Sequence, residues 1–245
     1  MPFAGTGRSR MIALCAGLLV TGCATTVDGT ARSSPSPPSM APVVQIMPTD
    51  EEIRAAVGNE LQQNPPPRVG GIEVLPDGIR TNKDAAPIEC LGAASPRMHI
   101  VYEKGPVRDV AVQDYWNYEL DVAASKATAA AIRLASAADA ERLFATFVEQ
   151  WRHCEGTTLT MFTWDSSKTQ LYHQVTDVQV RGSLLSATIL SWDNHHTPQF
   201  PVERAVGVES GVIVDVQVAV RPHLQTGSRA TDLARAMLRK VAGAS

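Results

Sequence analysis

Between Val212 and Val220 a valine stands at every second position, with Asp215 and Gln217 among the residues between. Successive side chains of a strand point to opposite faces, so this spacing fixes an extended segment with one all-apolar face. Such alternation is typical of an antiparallel sheet that leaves one face to solvent. A period near two also marks residues 159–164, 175–180 and 184–192, and 127–134 forms a further candidate strand. Arg181-Gly182-Ser183 and Glu209-Ser210-Gly211 supply turn residues between neighbours.

In the segment that leads up to residue 152 the period is closer to 3.6. From Ser136 to Arg152, Ala140, Leu143, Phe144, Phe147, Val148 and Trp151 form one stripe, with Ser136 and Asp139 placed to cap the start. Thr49 with Glu52 has capping-box form, predicting a helix over 50–62 that Pro65, Pro66 and Pro67 close. A last helix is expected from Ser228, its stripe running from Ala230 to Val241. Residues 70–75 and 98–102 read as short strands, and 105–122 gives no single pattern. Together these predict an α+β domain, an antiparallel β-sheet with helices packed against one face.

The first 22 residues have a different character. Arg8 and Arg10 precede an apolar run at 11–20, half the length of a membrane-spanning helix, and Val20-Thr21-Gly22-Cys23 follows. Small residues before a cysteine resemble the bacterial lipobox, in which the thiol receives a diacylglyceryl group. The plain alternative is an ordinary secretory signal with a fortuitous cysteine. Lipid on Cys23 would give stable membrane anchoring, at ~0.8 kcal/mol per buried methylene. Residues 23–48, rich in Ser, Pro, Thr and Ala, read as a flexible tether, and 49–245 as one domain. The expected location is the cell membrane, lipid-anchored, on its extracytoplasmic side.

The chain carries 22 basic and 25 acidic residues; without Arg8 and Arg10 the mature balance is about −5. A mildly acidic chain with no basic run is not built for nucleic acid. Of four cysteines, Cys15 leaves with the signal and Cys23 is assigned to lipid. Cys90 and Cys154 remain, and an even pair in an oxidising compartment predicts a disulfide, two buried thiols being the alternative. A bridge there closes roughly 65 residues, for which chain entropy gives about 4 kcal/mol.

Catalytic signatures are missing from the sequence: there is no G-x-S-x-G, no phosphate-binding G-x-x-x-x-G-K, no G-x-G-x-x-G and no H-E-x-x-H. Asp193-Asn194-His195-His196 has ligand chemistry, yet adjacent side chains at a strand end diverge, so neither metal nor cofactor is expected. His153 beside Cys154 has zinc-like spacing only while that cysteine is free. His99, His173 and His223 stand alone.

Trp151-Arg152-His153-Cys154-Glu155-Gly156, ending in Thr158 after an Ala/Phe-rich helix, resembles the PknH-like extracellular domain. So do Cys90-Leu91-Gly92 with Pro96 nearby, the strand 127–134, and Ser136 to Ala140 opening the helix. This family provides the sensors of certain mycobacterial serine/threonine kinases and also occurs in stand-alone lipoproteins. The resemblance implies an α+β fold with a deep cleft for an unidentified small ligand. It also implies a second disulfide, for which this chain has no cysteines, and no ligand contact carries over.

The expected function is a tethered, non-catalytic module that binds a small envelope ligand or a partner protein. A cell-envelope hydrolase with an unfamiliar site, or a scaffold for a membrane complex, is the alternative. The expected binding surface is the polar sheet face of Asp215 and Gln217, rimmed by Trp192, Asp193, His195 and His196 in the 193–199 loop.

Overall fold

The computed structural model describes residues 42–243 except 64, 164–166 and 222–223. Cys23, most of the tether, Trp164 and His223 therefore lie outside the described residues.

Ten strands form one antiparallel sheet. In chain order they are β1 (Gln62–Gln63), β2 (Arg68–Gly70), β3 (Ala85–Ala86), β4 (Val107–Trp116), β5 (Ala124–Leu134) and β6 (Thr158–Phe162). β7 (Gln170–Arg181), β8 (Leu184–Asp193), β9 (Phe200–Glu209) and β10 (Val212–Val220) complete the set. Their order across the sheet is β1-β4-β5-β10-β9-β8-β7-β6-β3, with β2 also paired to β4. The β9–β10 turn places Ser210 at φ +45° and Gly211 at +85°, the left-handed pair that a tight hairpin of this twist requires. In the β7–β8 turn Gly182 takes the positive φ, +62°.

Helices cover both faces of the sheet, where one was expected. The even-numbered valines of β10 pack with Ala111, Tyr115 and the odd-numbered alanines of β5 against α6 (Arg229–Gly243). α1 (Val43–Ile46) and α2 (Asp50–Val57) close the same layer. On the opposite face Val110, Val112, Ile132, Ile213, Val206 and Leu185 meet α5 (Ala137–Cys154), α3 (Leu91–Ala94) and α4 (His99–Tyr102). The physical reason is that β4, β5 and β10 are largely buried on both sides: Ile213 separates Val212 from Val214, and β5 is almost entirely buried. Strands buried on both faces read as apolar runs, which the valine alternation concealed.

Local departures follow from the same packing. The predicted capping box at Thr49 and Glu52 is present, but α2 ends early at Gly58, whose φ is +91°. The strand expected over 70–75 stops at Gly70, and Ile72–Val74 forms a 3₁₀ turn. Residues 98–102, also expected extended, form α4. The unassigned 105–122 segment supplies β4, paired along its length with β5. Val43, Ile46 and Met47 are buried, so the packed chain reaches back into the stretch assigned to the tether. Cys90 and Cys154 are bonded, with Cα atoms 5.6 Å apart, fixing the start of α3 to the end of α5.

Candidate functional site: an open aromatic face and the groove beside it

Asp215 does not line an open surface. Its side chain is 2% exposed and pairs with Arg204, which is fully buried. One carboxylate oxygen accepts from the Arg204 guanidinium; the other accepts from the Arg97 backbone N–H at 2.7 Å and the Tyr102 hydroxyl at 2.8 Å. Arg204 also donates to the carbonyls of Gly92 (3.1 Å) and Ala93 (3.3 Å). The pair thus satisfies the backbone of the 92–97 segment on the sheet. Burial, then the Asp215 charge, pushes the Tyr102 phenol well above its usual range, so it stays a donor. Gln217, half-buried, stands opposite Arg204 in the same layer. Of the predicted site residues on β10, Asp215 belongs to the interior and Gln217 lies on the same, helix-covered side of the sheet.

The open surface lies elsewhere. α6 packs on β9 and β10, and among the described residues no helix covers that side of β6 and β7. Phe162 pairs with Gln170, and Thr160 with Tyr172, which faces Trp192. Thr158, Gln174, Leu190 and Pro201 form the next row; Thr176, Thr188 and Glu203 the row after it. All of these except Glu203 are half-buried, as side chains on a bare sheet face are. The Tyr172 and Trp192 rings stack with centroids 5.4 Å apart and 26° between planes. Gln170 orients Tyr172, its Oε1 accepting from the phenol at 2.8 Å.

At its lower end the face runs into a groove of about 270 Å³. A β-bulge at Asp177 and Val178 interrupts the pairing of β7 with β8, and Asp177 has φ +53°. The bulge sends Val178 to the core, where Glu155 receives its N–H at 3.1 Å, and leaves Asp177 exposed at the groove. Gln179, Arg181, Ser186 and Thr188 line one side; Ser228, Thr231 and Arg235 line the other. Glu203, 3% exposed, sets the position of that second wall. Its carboxylate accepts from the N–H groups of Gly227 (2.7 Å) and Ala230 (3.1 Å) and from Arg229 (2.7 Å). A carboxylate at a helix start is favourable, and here it ties α6 to β9.

The 193–199 loop is a self-bonded turn at the other end of the face. Asp193 accepts from His195 N–H (2.8 Å), Thr197 N–H (3.2 Å) and the Thr197 hydroxyl (2.6 Å). The Thr197 hydroxyl, then these backbone donors, holds its carboxyl below the usual range. His195 meets Thr169 at 3.1 Å, and His196 is exposed with φ +66°. No group of three or more His, Cys, Asp or Glu able to hold a metal occurs among the described residues. Of the six predicted ligand residues, Trp192 alone faces the open surface, with the loop beside it. His173 points to the opposite layer, meets Ser191 at 2.9 Å, and is pushed by burial down to about 4.

Tyr172, Phe162 and the groove were missed. The signal was present in 170–176: Gln170, Tyr172, Gln174 and Thr176 fall on one face, Leu171, His173 and Val175 on the other. Groove residues come from β7, β8 and α6, a juxtaposition that no local pattern announces.

The fold has a solved counterpart in the extracellular domain of PknH from Mycobacterium tuberculosis. It is 16% identical, with a TM-score of 0.69, covering 84% of this chain and 100% of that one. The Mycobacterium smegmatis ortholog of Rv0999, a putative uncharacterized protein, is 10% identical with a TM-score of 0.43, covering 82% and 97%. No curated protein matches the sequence. Residues 38–240 match the family described as the PknH-like extracellular domain. The chain belongs to that family.

Proposed function

We propose that this domain captures a ligand on the open β6–β7–β8 face without transforming it, held outside the cytoplasmic membrane by lipid on Cys23. The observation that supports capture is the continuity of a half-buried aromatic and hydroxyl-bearing face with a polar groove beside α6. Catalysis needs a nucleophile, a base and an orienting group in mutual reach. The groove offers Ser186, Thr188, Ser228 and Thr231, but no histidine or cysteine lines it. The Thr231 hydroxyl donates to a backbone carbonyl, and that of Ser228 to Asp232, whose carboxylate is already paired with Arg235 at 2.9 Å. Among the described residues no helix is long and apolar enough to cross a membrane.

The test is native mass spectrometry of the full chain extracted from envelope in mild detergent. The expected spectrum shows a discrete added mass that leaves on collisional activation and is absent from a Trp192→Ala, Arg181→Ala double variant. A parent spectrum without any such mass, or one that the double variant retains, overturns capture at this face. A protein partner is favoured by one different observation: Tyr118 and Leu120, 79% and 80% exposed, project from the β4–β5 connection.

A further inference from the structure

We propose that the ligand of the open face is an uncharged oligosaccharide, stacked on the Tyr172–Trp192 pair and hydrogen-bonded along the threonine and glutamine rows. This rests on the capture reading above and names the class of its ligand.

The first argument is charge. The three rows from Phe162 to Leu190 contain no Asp, Glu, Lys, Arg or His. The nearest guanidinium groups lie in the groove, where Arg235 pairs with Asp232 at 2.9 Å and Arg181 donates to the neutral Gln179 at 2.7 Å; at the other end Lys83 and Lys168 line the hollow beside Phe162 and Gln170. An anionic lipid, phosphate or acidic polymer would meet cations at the two ends of this platform and none within its rows.

The second argument is surface chemistry. Hydrocarbon chains are held by closed apolar walls, whereas here hydroxyls and amides alternate with rings. A sugar ring has C–H faces for an aromatic plane and a rim of hydroxyls that both donate and accept. Thr160 beside Tyr172, and Gln174 between Thr158 and Leu190, place such partners next to the rings. The third argument is backbone. A peptide adds to a sheet at a free edge, but β7 is hydrogen-bonded to β6 and β8 on its two sides. Side chains alone are presented, which suits a polyol better than a strand.

The dimensions exceed one ring. Trp192 and Thr188 are four residues apart on one face of β8, about 13 Å, and β6 to β8 spans roughly 10 Å. Gln170 fixes the Tyr172 phenol and is itself fixed by its backbone N–H, which donates to Asn194 Oδ1 at 3.0 Å, so the platform is ordered before binding.

The experiment titrates the full detergent-solubilised chain with neutral hexose and pentose tri- to hexasaccharides. Parallel arms use a heparin oligosaccharide, phosphatidylglycerol vesicles, and a peptide of residues 24–41. Saturable binding of a neutral saccharide is expected, unchanged between low and high salt. It should weaken about tenfold in Trp192→Ala, be largely retained in Trp192→Phe, and weaken several-fold in Thr188→Val. Thr188→Val, near-isosteric, keeps the test valid should Trp192→Ala lower the melting temperature. Binding of an anionic arm or the peptide in place of a saccharide overturns the proposal, as does saccharide binding indifferent to both positions. If no saccharide binds while native spectra still show a captured mass, the ligand class falls and capture stands; if that mass is absent too, both fall.

Discussion

Arg204 on β9 and Asp215 on β10 form an ion pair with side chains 0% and 2% exposed, on a diagonal between neighbouring strands. Charges so placed lose their hydration, and this pair regains it through Tyr102, the Arg97 N–H and the carbonyls of 92–93. Removing one partner strands the other. Asp215→Ala is expected to lower unfolding free energy by about 3–5 kcal/mol. The double change Arg204→Met, Asp215→Leu should recover part of this, not all, because the Tyr102 hydroxyl and the 92–97 backbone stay unpartnered. Urea unfolding of the three proteins checks it; equal losses in single and double variants would refute the account.

The disulfide acts on the same segment from the other side. Cys90→Ser, Cys154→Ser is expected to lower stability by about 4 kcal/mol on the chain-entropy picture. The Tyr172–Trp192 face lies on other strands, so ligand binding should be unchanged below the melting transition. Calorimetry of the double variant, with alkylation of the denatured parent to count thiols, decides both points.

His173 predicts a pH dependence. Burial lowers its folded pKa to about 4, against about 6.5 when unfolded. Between these values the unfolded chain binds a proton that the folded chain refuses, so stability rises with pH across that window. Its contribution is complete above about 6.5 and is lost as pH falls toward 4, by an amount of the order of 2 kcal/mol. His173→Gln should flatten the slope of melting temperature between pH 4 and 6.5. An unchanged slope in the variant would assign the dependence to other groups.

Cys23→Ser is expected to move the chain from the membrane fraction to the soluble one, since the apolar run at 11–20 is too short to span a bilayer. Fractionation followed by immunodetection reads this directly. Retention of the variant on membranes at the parent level would place the anchor elsewhere.

How much of this was legible depended on whether period and partner lay close in sequence. The stripe from Ala140 to Trp151 and the valines of β10 each encode their own element, and both formed where expected. Asp215 illustrates the limit: a carboxylate among valines reads as a wet face until Arg204 is seen across the turn. Residues 98–102 failed for a related reason, since His99-Ile100-Val101-Tyr102 is β-prone by composition and is turned into α4 by its packing. Trp192 was recognised because it ends a strand beside a polar loop; Tyr172 was not, because its strand was read as starting at Val175.

The order of strands bears on export. β10 is the last strand made, yet it lies between β5 and β9 and is the seam along which the β4–β5 pair joins the β6–β9 meander. On the export route proposed for this chain, Val212 to Val220 would have to leave the translocation channel before that seam could close. Until then β5 has a bare edge, and its alanines have no α6 or β10 to rest on. A chain threaded through a membrane from its N-terminus is thereby kept from locking prematurely: its central strand arrives late, on the far side.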